Sequence, residues 1–274
     1  MTVPAAEEDA VTAALWERGT MGIEVRPAGP HDVALLAYFP DAPGLETALA
    51  AALLPLPSAR LQRAEVPDVD WVARFREGFR TFPAAGFVVT PPWETRLPST
   101  HPAPDRRDVL IVDPGRAFGT GTHESTRLCL GLLRDLTRRG PLGRVLDLGT
   151  GSGILAVAAA RLGARMVTAV DLDAEAIAAA GHHARLNGVE LRLVRGDLTA
   201  ALRAGAFDLV LANIAAPLLV ERRQEILALG APAVVLSGLL ATDAEALRAA
   251  YEPAGRIEVR QDGEWVALLV SRLP

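Results

Sequence analysis

An α/β protein, with a doubly wound sheet of seven strands preceded by a small α+β unit, is what this sequence predicts. Three observations carry that expectation. From Val109 onward, apolar runs of strand length alternate with runs of helical spacing. That alternation marks parallel strands buried on both faces and joined by crossover helices. One of the runs, Val145 to Leu148, opens into Gly149-Thr150-Gly151-Ser152-Gly153 and then a helical pattern, the strand, glycine loop and helix of a Rossmann-like nucleoside site. Residues 1–66 follow a different order: helix, strand, strand, helix, strand.

In that first part, Glu7 to Arg18 has helical spacing through Ala10, Val11, Ala14 and Leu15 and stops at Gly19. Met21 to Arg26 and Val33 to Phe39 read as strands around a turn of proline and glycine, Leu45 to Leu54 as a helix, and Ala59 to Val66 as a further strand. The order resembles a ferredoxin-like fold without its first strand, since Met1 to Pro4 is short for one. Residues 67–108 read as a linker. It contains one amphipathic helix, Asp70 to Phe82, with Trp71, Phe75 and Phe79 on one face, a short strand at Phe87 to Thr90, and a stretch rich in proline, serine and threonine.

Residues 109–274 form the main domain. Strands are expected at 144–148, 166–171, 190–195, 207–212, 233–237, 256–261 and 265–270, the last two as an antiparallel hairpin. Helices are expected at 123–137, 154–162, 174–187, 215–230 and 242–251.

Composition narrows the function. The formal charge of -5 gives no electrostatic reason for direct DNA binding. All 28 basic residues are arginine, which excludes Schiff-base lysine chemistry and a P-loop lysine. The single cysteine, Cys129, lies in an apolar helical stripe; it permits no internal disulfide and no cysteine metal cluster. The first ten residues carry Glu7, Glu8 and Asp9 and no basic side chain, unlike a signal peptide, and no apolar run has the length of a membrane span. A monomer in a reducing cytoplasm is the expectation.

The glycine loop has the spacing Asp-x-Gly-x-Gly-x-Gly from Asp147, not Gly-x-Gly-x-x-Gly. This points to S-adenosylmethionine in place of a dinucleotide. Gly149 and Gly151 would bring backbone close to the ligand, and Asp147 would pair with its ammonium group. Asp171, ending the next strand, would accept the ribose hydroxyls, and Asp197, after the third strand, the adenine amino group. Asp173 reads as a helix cap. Asn213 ends the fourth strand, where an amide offers donor and acceptor near the reacting methyl. Ile214 and Ala215 follow it; the lack of an aromatic there disfavours methylation of a flipped base.

Upstream, Asp113-Pro114-Gly115-Arg116-Ala117-Phe118-Gly119-Thr120-Gly121-Thr122-His123-Glu124-Ser125-Thr126 reads as a loop able to fold over a bound ligand, with Thr122 or Ser125 as helix cap. This run, with Leu146 to Ala156, Asp171 to Asp173, Ala212 to Ile214 and Ser237-Gly238, resembles the bacterial ribosomal protein L11 methyltransferases in order and spacing. The resemblance implies an N-terminal ferredoxin-like domain that docks the substrate, and a class I catalytic domain. The activity it implies is methyl transfer from S-adenosylmethionine to lysine side chains and the N-terminal amine of a ribosomal stalk-base protein. It puts Thr126, Gly149, Asp171 and Asn213 on the cofactor, Phe118 over it, and Asn213, Phe118 and Thr126 at the reacting groups.

Two other readings remain open: the same chemistry on a different protein lysine, such as that of an electron-transfer flavoprotein, or on a small amine; and a non-catalytic protein that only binds S-adenosylmethionine.

Overall fold

The computed structural model describes residues 1–16, 18–20, 22–29, 31–40, 42–54, 56, 59, 61–62, 76–94, 105–115, 119–199 and 202–272. The chain divides into two compact units, Met1–Val69 and Asp70–Pro274.

The first unit contains β1 (Thr2–Pro4), α1 (Glu8–Trp16), β2 (Gly22–Pro27), β3 (Asp32–Tyr38) and α2 (Leu45–Leu53). Its sheet has the order β1-β3-β2, all antiparallel. The first strand, expected to be missing, is present. Three residues suffice because β3 supplies the ladder and Val3, 1% exposed, enters a core of Val11, Leu15, Leu35, Leu49 and Leu53. The strand expected over 59–66 lies mostly outside the described residues.

The second unit begins with a small sheet of β4 (Phe82–Ala84), β5 (Phe87–Thr90) and β6 (Val109–Ile111). Its described residues therefore differ from the expected linker. Phe79, Ala84, Phe87 and Val89 join the same core as Cys129, Leu130 and Leu133, so apolar burial ties this segment into the larger unit. Of the helix expected over 70–82, residues 76–78 are helical, and 70–75 lie outside the described residues.

Then come α3 (Glu124–Arg139), β7 (Arg144–Leu148), α4 (Ile154–Arg161), β8 (Met166–Asp171), α5 (Ala174–Asn187), β9 (Arg192–Arg195), β10 (Leu209–Asn213), α6 (Ala216–Glu221), α7 (Arg223–Ala228), β11 (Ala233–Leu240), α8 (Ala241–Tyr251), β12 (Arg256–Asp262) and β13 (Trp265–Ser271). One helix was expected over 215–230; the structure has two, parted at Arg222, where φ is -89° and ψ 9°.

The seven strands take the order β12-β13-β11-β10-β7-β8-β9, with β13 running against the rest. Alternate residues of the central strands feed two cores. Val145, Ala169, Leu211 and Val235 face α3 and α4, while Leu146, Val170, Val210 and Val234 face α6, α7 and α8. Burial on both faces is why these strands read as continuous apolar runs. From β7 the chain winds outward through β8 to β9, then returns to β10 on the other side of β7. In such sheets the ligand crevice opens beyond the carboxyl ends of the strands at that reversal.

Candidate active site

The reversal sets two segments side by side. Leu148 pairs with Ala212 across β7 and β10, so Gly149 and Asn213 follow at adjacent strand ends. Gly149 has φ +66°, and a Cβ on it would stand 2.4 Å from Cγ2 of Ile214. Gly238, at φ +87°, would place one 2.4 Å from the Ile214 carbonyl oxygen. The space that a side chain at either position would need is thus filled by the residue after Asn213. Ile214 is also held by its N–H, which donates to the Ser237 carbonyl at 3.1 Å. Close approach to a ligand was the expected reason for glycine at 149; packing around Ile214 is the one seen.

The four candidate acids fall into different settings. Asp171 stands at the end of β8, half-buried. Its Oδ2 accepts from the Gly151 N–H at 2.9 Å and its Oδ1 from the Asp173 N–H at 3.0 Å. Each oxygen keeps a further lone pair. Asp173 caps α5, accepting from the Glu175 N–H at 2.8 Å, as expected. Asp197, exposed beyond β9, pairs with Arg222 at 3.1 Å.

Asp147 departs from its expected place. It lies inside β7, paired in register with Leu211 on one side and Ala169 on the other. Strand alternation sends it to the same face as Val145, beneath α4. It is 1% exposed, and its Oδ2 accepts from the Thr150 hydroxyl at 2.6 Å and the Ala156 N–H at 3.2 Å. Burial pushes its carboxyl up to about 6, against the pull of those two donors. Asp147 therefore braces the loop from below.

Thr126 departs likewise. It has no exposed surface, and its hydroxyl accepts from Asn213 Nδ2 at 3.4 Å. That contact turns the other end of the amide, Oδ1, away from Thr126. Asn213 Oδ1 is buried and has no hydrogen-bond partner among the described residues.

The covering segment is anchored at its far end. His123, not Thr122 or Ser125, caps α3: its Nδ1 accepts from the Ser125 N–H at 3.2 Å, and its ring makes a T-shaped contact with Trp265, centroids 4.3 Å apart. Arg127 donates to the Thr122 carbonyl at 2.6 Å and to Asp262 at 3.0 Å. Phe118 lies outside the described residues. Cys129 is fully buried, and desolvation pushes its thiol up to about 12, so it is inert core. Ser152 and Thr150 were not singled out from the sequence. Both are hydroxyls set between the loop glycines, a local signal that a glycine count passes over.

The arrangement fits S-adenosylmethionine by the groups it leaves open: an amide oxygen buried without a partner, and an acid with spare acceptor capacity beside a glycine loop. Six strands in one direction, one against them, and this loop at the reversal define a class I S-adenosylmethionine-dependent methyltransferase.

Comparison with known proteins narrows the class. A family model described as Ribosomal protein L11 methyltransferase (PrmA) matches residues 4–272. The chain is 44% identical over 230 residues to a ribosomal protein L11 methyltransferase of Geobacter sulfurreducens, covering 81% of this chain and 71% of the relative. It is 42% identical over 213 residues to that of Thermus thermophilus, covering 76% and 80%. A crystal structure of the ribosomal protein L11 methylase from Lactobacillus delbrueckii subsp. bulgaricus matches with a TM-score of 0.63 at 31% identity, over 72% of this chain and 100% of the other. This chain belongs to the ribosomal protein L11 methyltransferase family.

Proposed function

We propose that this enzyme methylates amino groups of ribosomal protein L11, the stalk-base protein of the large subunit: lysine side chains and the N-terminal amine. The observation that carries the reading at the level of chemistry is Asn213 Oδ1, at the end of β10, a buried acceptor without a partner among the described residues. A buried polar atom left unpaired is costly, by about 1–3 kcal/mol, and asks for a donor from outside the chain. An amine supplies one. The names of the relatives support the choice of substrate.

S-adenosylmethionine supplies the methyl group on a sulfonium centre, already an electrophile. The chain supplies position and a desolvated amine. Lysine has a reference pKa of about 10.4, so the ammonium must shed a proton before its lone pair is free. Asn213 Oδ1 accepts one N–H of the neutral amine and aims the lone pair, while Thr126 fixes the amide's orientation. Asp171 accepts the ribose hydroxyls and Asp197 the adenine amino group, with Gly149 and Gly151 forming the turn beside them. Asp147 shapes the loop from beneath. Residues 1–66 recognise the protein substrate.

The test is incubation with labelled S-adenosylmethionine and unmethylated large ribosomal subunits, then mass spectrometry. Label on L11 amines is expected. Label only on another protein, or binding of cofactor with no transfer, would replace this reading by one of its two rivals.

A further inference from the structure

We infer that His183 is a positioning residue that clasps the glycine loop to the segment preceding α3 and so sets affinity for the cofactor. The inference rests on the methyltransferase reading but stands on contacts that reading does not use. His183 lies on α5, 4% exposed. Its Nδ1 is 2.6 Å from the Ser152 carbonyl oxygen, and its Nε2 is 3.0 Å from the Asp113 amide nitrogen. A carbonyl can only accept, so Nδ1 carries the hydrogen. A backbone N–H can only donate, so Nε2 presents its lone pair to Asp113, whose own carbonyl lies 3.1 Å away. One imidazole thus bridges the middle of the glycine loop and the start of the covering segment.

Two further contacts make this a clasp. The Ser152 hydroxyl donates to the Gly119 carbonyl, so the same loop residue is held through its carbonyl by His183 and through its side chain by the covering segment. One helical turn on, Asn187 accepts from the Ile111 N–H at 2.8 Å and donates to the Ile111 carbonyl at 2.7 Å. It stands in for a neighbouring strand along β6. The i, i+4 spacing puts His183 and Asn187 on one face of α5. Gly153 lets that helix pack close to the loop: a Cβ there would stand 2.7 Å from Ala180 Cβ. A cavity of about 220 Å³ borders these contacts, lined by Asp113, Thr120, Ser152, Glu175 and His183, so the clasp is what bridges the loops beside an open space.

Two one-ended substitutions separate clasp from core. In His183→Asn the shorter amide can still donate to Ser152. In His183→Gln the longer one reaches only Asp113. Both are made in the full chain and followed by three readouts: amide hydrogen exchange of the free protein at residues 150–153, calorimetric affinity for S-adenosylhomocysteine, and global unfolding in urea. The expected result is a contrast. His183→Gln exchanges about tenfold faster in the loop and binds about tenfold more weakly, the worth of one hydrogen bond of ~1.4 kcal/mol, with kcat at saturating cofactor unchanged. His183→Asn keeps the Ser152 end, so loop exchange stays near wild type, but it gives up the Asp113 end and binds about tenfold more weakly as well. Loop exchange that is the same in both variants, or that only follows global stability, overturns the clasp. Wild-type affinity in either variant overturns its link to the cofactor. Failure of the wild type to bind S-adenosylhomocysteine would count against the methyltransferase reading, while the exchange contrast would still decide the clasp.

Discussion

The glycine loop has an underside and an open side, and they follow opposite rules. Beneath it, Asp147 is 1% exposed, holds two donors, and is held protonated up to about pH 6. On the open side, Asp171 keeps spare lone pairs, and Asn213 leaves a buried oxygen unpaired. Satisfied polar atoms fix geometry; unsatisfied ones await a ligand. The two acids lie at or next to the ends of neighbouring strands of one sheet, yet a single step of position separates their roles. Asp171 is the last residue of its strand and reaches past it. Asp147 precedes the last residue of its own and is covered by a helix.

The largest effect that could break this contrast is at Asn213. Asn213→Ala is expected to lower kcat by about 10²–10³-fold, the usual cost of one aimed polar group at a reacting centre. Affinity for S-adenosylhomocysteine should stay within a few-fold. Calorimetry beside steady-state kinetics checks it; equal losses in both would move Asn213 from amine to cofactor.

Next is Asp147. Its carboxyl titrates near the ordinary 3.8 when unfolded and about 6 when folded. Between those values the folded state binds the proton more tightly, so stability falls as pH rises. The contribution is complete below about pH 4 and gone above about pH 6, a difference of about 3 kcal/mol. Asp147→Asn stays uncharged at every pH and should lack this slope. Urea unfolding from pH 4 to 7 measures both; parallel profiles would mean that Asp147 is not desolvated. On the open side, Asp171→Ala should weaken S-adenosylhomocysteine binding by about 10–100-fold, the range for losing charge-assisted hydrogen bonds. It should cost urea stability only what its two backbone hydrogen bonds are worth, about 2 kcal/mol. A large loss of stability would make Asp171 a brace like Asp147.

The central sheet was legible because its strands are buried on both faces and so spell apolar runs of their own. β1, β4 and β6 are three residues each, too short for any period to show; only pairing and burial define them. The face of Asp147 was in fact written in the alternation Val145, Leu146, Asp147, Leu148, and the glycine spacing drew the reading away from it. Thr126 could not have been placed. Its partner Asn213 is 87 positions away, and nothing local in either segment reports the contact. His183 hides for the same reason, between residues 31 and 70 positions distant.

The smallest effect gives the finest test of the underside. The Thr150 hydroxyl pulls the Asp147 carboxyl downward against burial. Thr150→Val keeps the shape and removes that donor. Two changes should follow together. Stability at neutral pH should drop by about 1 kcal/mol, the net worth of one hydrogen bond. The pH at which the Asp147 contribution is lost should move further above about 6, because one of the two donors opposing desolvation is gone. In the background of Asp147→Asn the second change must vanish while part of the first remains, since an asparagine oxygen can still accept. If the pH midpoint stays put in Thr150→Val, the loop is not braced through this carboxyl. The division between underside and open side would then rest on Ser152 and its neighbours alone.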